Sequence, residues 1–150
     1  MREIKFKAVK QENGGWVYGL LFNTNKDHHS TPRTSIITEN YDPYGYGSNE
    51  FVEVNPDTVC QFIGFTDRNG KEIFEGDIIQ YDYFGDEGEL KYSNMQIFWN
   101  GKAASFCYDD SYKSDKSSYQ ELNEDFCKDI IVVGNVHENI ELLAVSEADA

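Results

Sequence analysis

The chain has 150 residues, a length near that of one domain and enough to bury a core without disulfide or metal staples. Hydrophobic residues make up 39% and aromatics 15%, with ten Tyr and ten Phe, which argues against a disordered chain and for rings packed on pleated surfaces. Twenty-seven Asp and Glu against thirteen Lys and Arg give a formal charge of −14, which opposes any binding mode that works by neutralising phosphates.

In chain order, Ile4, Phe6 and Ala8 alternate with Glu3, Lys5 and Lys7, the period of a strand with one wet face. Asn13-Gly14-Gly15 tolerates positive φ and leads into the apolar run Trp16 to Phe22, so the two runs predict a hairpin. Residues 23 to 34 are polar and hold His28, His29 and Pro32, and Ser35 to Thr38 predicts a short strand. Tyr41-Asp42-Pro43-Tyr44-Gly45-Tyr46-Gly47 excludes regular structure. Its rings, Tyr41, Tyr44 and Tyr46, serve either as exposed anchors of a binding loop or as a lid folded on the core. Phe51 to Val54 predicts another strand, and Asn55-Pro56-Asp57-Thr58 a turn able to cap one helical turn.

The densest signals follow. Phe62 to Thr66 and Lys71 to Phe74 flank Asp67-Arg68-Asn69-Gly70, whose Asn69-Gly70 pair suits a tight hairpin, and Glu75-Gly76-Asp77 redirects the chain into Ile78 to Phe84. Gly64 and Gly76 punctuate strands where glycine permits a bulge or a close backbone approach, Gly76 beside Asp77 suits a turn with one positive φ, and Asp77 is placed to accept backbone N–H bonds within that turn. Leu90 to Trp99, a tight turn at Asn100-Gly101 and Lys102 to Tyr108 predict a further hairpin. Phe98 and Trp99 read as core packing first and as a stacking platform second. Asp109 to Ser118 is a charged connector, Tyr119 to Cys127 predicts a short helix, Ile130 to His137 a final strand buried on both faces, and Asn139 to Val145 a brief helix capped by Asn139.

Chemistry is sparse. Cys60, Cys107 and Cys127 are odd in number and form no CxxC pair, and no apolar run reaches signal-peptide or membrane-span length, so a reducing, cytoplasmic location is expected. His28 and His29 are adjacent and His137 is remote, so no metal site is expected. Asp67, Asn69 and Lys71 alternate as in a calcium loop, but Lys holds the third place and the glycine and closing glutamate are missing. No GxSxG, Walker A, GxGxxG or HExxH is present, which leaves no catalytic residue and no cofactor to name. The charge is uneven. Residues 1 to 26 carry five basic and two acidic side chains, residues 119 to 150 one basic and eight acidic. Its plain reading is a solvated surface, and its sharper reading is mimicry of DNA phosphates.

Met1 to Ala8 followed by Trp16-Val17-Tyr18-Gly19 resembles the start of the YopX family of phage and prophage proteins. Asp57 to Gly64, Asp67 to Ile79, and Val133 to Asn139 ahead of Glu141-Leu142-Leu143 are similar to that family's later signatures, in order and over most of the chain. Departures are Cys60 for the usual Gly, Ile140 for the usual Pro, and a longer polar insert around residues 23 to 50. The resemblance implies a mainly β fold, small and barrel-like or of folded sheets, with antiparallel hairpins and one or two short helices, and it implies no established activity. One domain is expected over 1–150, with an N-terminal β segment at 1–58 and a β core at 59–145.

Three functions from different classes follow as expectations. The first is a non-enzymatic module that binds a protein partner or self-assembles, through strand edges or the Tyr loop. The second is an acidic DNA mimic that inhibits a DNA-binding protein. The third is a nucleic-acid-binding accessory protein using the basic N-terminal strands.

Overall fold

The computed structural model describes residues 2–24, 33–38, 50–109 and 119–144. The chain divides into two compact units, Met1–Phe62 and Ile63–Ala150. The tyrosine loop with Tyr41, Tyr44 and Tyr46, the histidine pair and the connector after Asp109 lie outside the described residues.

In the first unit, β1 (Phe6–Val9), β2 (Trp16–Thr24), β3 (Arg33–Thr38) and β4 (Phe51–Glu53) form an antiparallel sheet in the order β4-β3-β2-β1, and the start of β5 (Cys60–Thr66) pairs with the free side of β1. The predicted first hairpin is present. Gly14 takes φ 73°, and the Gly15 N–H donates to Asn13 Oδ1 at 3.0 Å. Register places Ala8 opposite Val17 and Leu21 opposite Ile36, so these side chains share one face and build a core with Val54. Lys7, expected on a wet face, is only 8% exposed. Its ammonium sits 4.9 Å from the Trp16 ring centroid, a cation held over an aromatic face while its stem is buried. Asn55 caps a 3-10 turn over Pro56–Thr58 by accepting the Asp57 N–H, as its turn chemistry predicts.

In the second unit, β6 (Glu72–Phe74) lies beside β5. A five-stranded antiparallel sheet runs β10 (Gln120–Glu121), β9 (Ser105–Asp109), β8 (Leu90–Asn100), β7 (Asp77–Phe84), β11 (Ile130–Asn135). Ile63, Ile73, Ile79, Met95, Ile97 and Ile130 form its core, with Tyr81, Tyr108 and Phe126 packed against it. The Tyr108 and Phe126 rings stack at 4.2 Å, which seats the one-turn helix α1 (Glu124–Cys127), N-capped by Asn123, on the sheet.

Of the two architectures expected, the folded-sheet one holds, and three finer expectations are corrected. The sheets are open and not closed into a barrel, because among the described residues the end strands, β4 and β6 of one and β10 and β11 of the other, each pair on one side only. The turn after Asn100 is longer than two residues, because Asn100 Oδ1 accepts both the Lys102 and Ala103 N–H and Ala104 takes φ 51°, so β9 begins at Ser105. The aliphatics Ile131, Val132 and Val133 are only partly buried, because β11 is an edge strand. Asn139 does not cap the terminal 3-10 helix with its side chain, which instead accepts the Asn135 N–H at 3.2 Å.

Candidate functional site

Asp67, 5% exposed, accepts the N–H of Asn69 (2.8 Å) and Lys71 (2.9 Å) on Oδ1 and that of Val132, on edge strand β11, on Oδ2 (3.0 Å). Asn69 and Gly70 form the turn that this carboxylate closes, with Gly70 at φ 81°. Gly64 takes φ 100° within β5, with open space where a Cβ would stand, so its conformation and not crowding selects glycine. Gly76, at φ 83°, donates its N–H to the Ile97 carbonyl at 2.8 Å and accepts the Val136 N–H at 2.8 Å. Asp77, 1% exposed, accepts the Phe74 N–H on Oδ2 at 2.8 Å.

The last signature is built alike: Asn135 Oδ1 accepts the His137 and Glu138 N–H groups, and Asn94 Nδ2 donates to the Leu142 carbonyl. The central signature therefore meets β11 through Asp67 to Val132 and the last signature through Gly76 to Val136. A carboxylate that accepts buried backbone donors satisfies groups otherwise costly to bury, which is work for a scaffold. Sequence reading finds the turns but not the long-range acceptor role of Asp67.

Cys60, Cys107 and Cys127 are buried thiols that form no disulfide with one another. Burial pushes the Cys127 thiol up to about 11 from an ordinary 9.0, because a thiolate is poorly solvated there. A raised folded-state value makes the stability tied to this proton complete below pH 9 and lost as pH rises towards 11. Comparing urea unfolding of the wild type and Cys127→Ala across that window isolates this group from the tyrosines; identical pH slopes would contradict the assignment. Among the described residues no cluster of His, Cys, Asp and Glu is suited to a metal ion.

Two surfaces remain that turn chemistry does not use. On the first unit, the face of the sheet opposite the core carries Tyr18, Leu20, Phe22 and Phe51, each between 43% and 57% exposed. Register carries this row across strands, since Leu20 pairs with Ile37 and Ile37 with Phe51, while Phe22 and Phe51 meet edge to face at 5.7 Å. A groove of about 310 Å³ lined by Ile4, Gly19, Leu20, Ile37 and Thr38, with Glu3 and Lys5 at its side, continues it. The sequence signal was present: Trp16 to Phe22 is apolar at both parities, so one set of side chains faces outward. On the second unit, a cleft of about 620 Å³ opens at the Asn100 end of β8, among Gln96, Phe98, Trp99, Lys102, Asp109 and Tyr119.

These features define an open, antiparallel β protein whose signature residues organise turns and whose sheets leave several rings exposed. The chain belongs to the YopX family: the family model described as YopX protein matches residues 5–144, nearly the whole length. It is similar to a solved structure, protein EF1440 from Enterococcus faecalis, at 26% identity and TM-score 0.54, over 95% of this chain and 99% of that one. No curated protein matches it. Among the described residues no helix is long and apolar enough to cross a membrane.

Proposed function

We propose that this YopX protein is a non-enzymatic, phage-type interaction module that assembles with a second copy of itself through the exposed face of its N-terminal sheet. The observation that carries this reading is the uncharged row Tyr18, Leu20, Phe22 and Phe51, continued by half-buried Ile37. A chain of charge −14 repels its own copies, so self-association needs an uncharged apolar row such as this one to offset that repulsion. Contiguous exposed apolar side chains of this kind mark contact surfaces. The row covers three strands, small beside the roughly 800 Å² per partner of a standard interface, so a dissociation constant in the micromolar range is expected.

Light scattering over a concentration series tests the proposal. The wild type is expected to move from one chain to two, and Leu20→Lys or Phe51→Lys to raise the dissociation constant at least about tenfold by placing a charge in the apolar centre. A mass of one chain at every concentration, or variants that associate as the wild type does, would overturn it.

A further inference from the structure

The cleft of the second unit carries an inference independent of the N-terminal face. Gln96 and Asp109 stand opposite each other on the β8 and β9 ladder, and Phe98 lies two residues along the same face. Phe98 meets Tyr119 edge to face at 6.3 Å, while Trp99, 49% exposed, is held edge to face against Phe106 at 5.0 Å. Asp109 Oδ1 is fully buried and, among the described residues, has no hydrogen-bond partner. A buried carboxylate oxygen without a donor is costly, whereas every other buried carboxylate described above accepts backbone N–H groups.

We propose that this cleft binds the guanidinium of an arginine side chain on a basic partner protein, paired with Asp109 and packed against Phe98, which shares its face, and the Tyr119 ring that meets it. The missing group is a donor, and the walls are rings. A planar, weakly hydrated guanidinium supplies five donors and stacks on aromatic faces, and a compact, strongly hydrated ammonium suits such walls less well. Charge points the same way. Residues 63–150 carry nineteen Asp and Glu against seven Lys and Arg, a field that draws basic segments in and repels phosphates. Lys102, in the same lining, opposes a second positive charge, which fits one arginine per cleft rather than a polybasic run.

The test uses the full chain carrying Trp16→Phe, so that Trp99 is the one fluorescent indole. The probes are an uncharged-flank hexapeptide with one central arginine, the same peptide with citrulline, and free L-arginine. The arginine peptide is expected to change Trp99 fluorescence saturably, at least about tenfold tighter than its citrulline twin and no weaker than the free amino acid, and to lose affinity as salt rises. Asp109→Asn, which keeps the side-chain shape, is expected to weaken the arginine peptide at least about tenfold and to leave the citrulline peptide within about twofold. Lys102→Ala is expected to tighten the arginine peptide about two- to threefold by removing a like charge. Thermal unfolding of each variant checks that it is folded, and indole N–H chemical shifts give a second readout. Equal binding of the arginine and citrulline peptides, an Asp109→Asn variant that binds as the wild type does, or no saturation at tens of millimolar probe would overturn the proposal. Tighter binding of free arginine than of the peptide would overturn the protein-borne partner. None of these readouts depends on whether the N-terminal face self-associates.

Discussion

Asp67→Ala is expected to cost roughly 3–4 kcal/mol of folding stability, because one buried carboxylate serves three backbone donors and each charge-assisted bond contributes about 1.5–3 kcal/mol with incomplete additivity. Two of the donors, Asn69 and Lys71, lie in its own turn, and the third, Val132, belongs to an edge strand 65 residues away. The Arg68 N–H also donates to the Ile130 carbonyl at 2.9 Å, so the turn occupies the outer side of β11 where another chain would otherwise pair. Asp67→Asn separates the two roles. Its amide oxygen can keep the turn donors, but its NH₂ would face the Val132 N–H, donor against donor, so about half the loss is expected. Urea unfolding gives the total, and amide exchange at Val132 gives the local part. A cost under about 1 kcal/mol for Asp67→Ala, with Val132 as protected as in the wild type, would refute this account.

Gly19→Ala is expected to cost more than about 3 kcal/mol and to disrupt the β2 and β3 pairing. Gly19 holds φ 154°, and a Cβ there would collide with the backbone carbonyl oxygen of Ile37 and come within 3.2 Å of Ile36 Cγ2. A backbone oxygen in a ladder cannot step aside without breaking the register that pairs Gly19 with Thr38 and Leu20 with Ile37. Gly14→Ala is the matched control. Gly14 has φ 73° with nothing near its missing Cβ, so only the left-handed backbone penalty of about 1–2 kcal/mol applies. Thermal melts followed by Trp16 fluorescence compare the two, and equal costs would show that crowding at Gly19 is not the cause.

Local chemistry in this chain is legible from its sequence, and distant chemistry is not. Alternation places β1 and the Trp16 to Phe22 run, and Asn13-Gly14, Asn55-Pro56 and Asn69-Gly70 mark turns because one or two residues decide each of them. Asn100-Gly101 reads as a two-residue turn and is longer, since nothing in the sequence announces an alanine at φ 51°. Ile130 to Val133 looked fully buried because the aliphatics themselves do not tell a central strand from an edge strand; sheet order decides that, and β11 ends the sheet. Its register shift between Val132 and Gly134 is likewise set by partners. The arrangement at Asp109 escaped notice for the same reason: a carboxylate lacking a donor is defined by neighbours across a ladder, while the text of the chain shows one acid among twenty-seven.

The joints at Asp67, Gly76 and Asn135 make the skeleton's integrity independent of what its outward side chains are. Leu20, Phe51, Trp99 and Asp109 close none of these joints. They can be redesigned as one changes the teeth of a key while keeping its shank. A bioengineer grafting new recognition onto this framework should leave every turn untouched and vary those four positions.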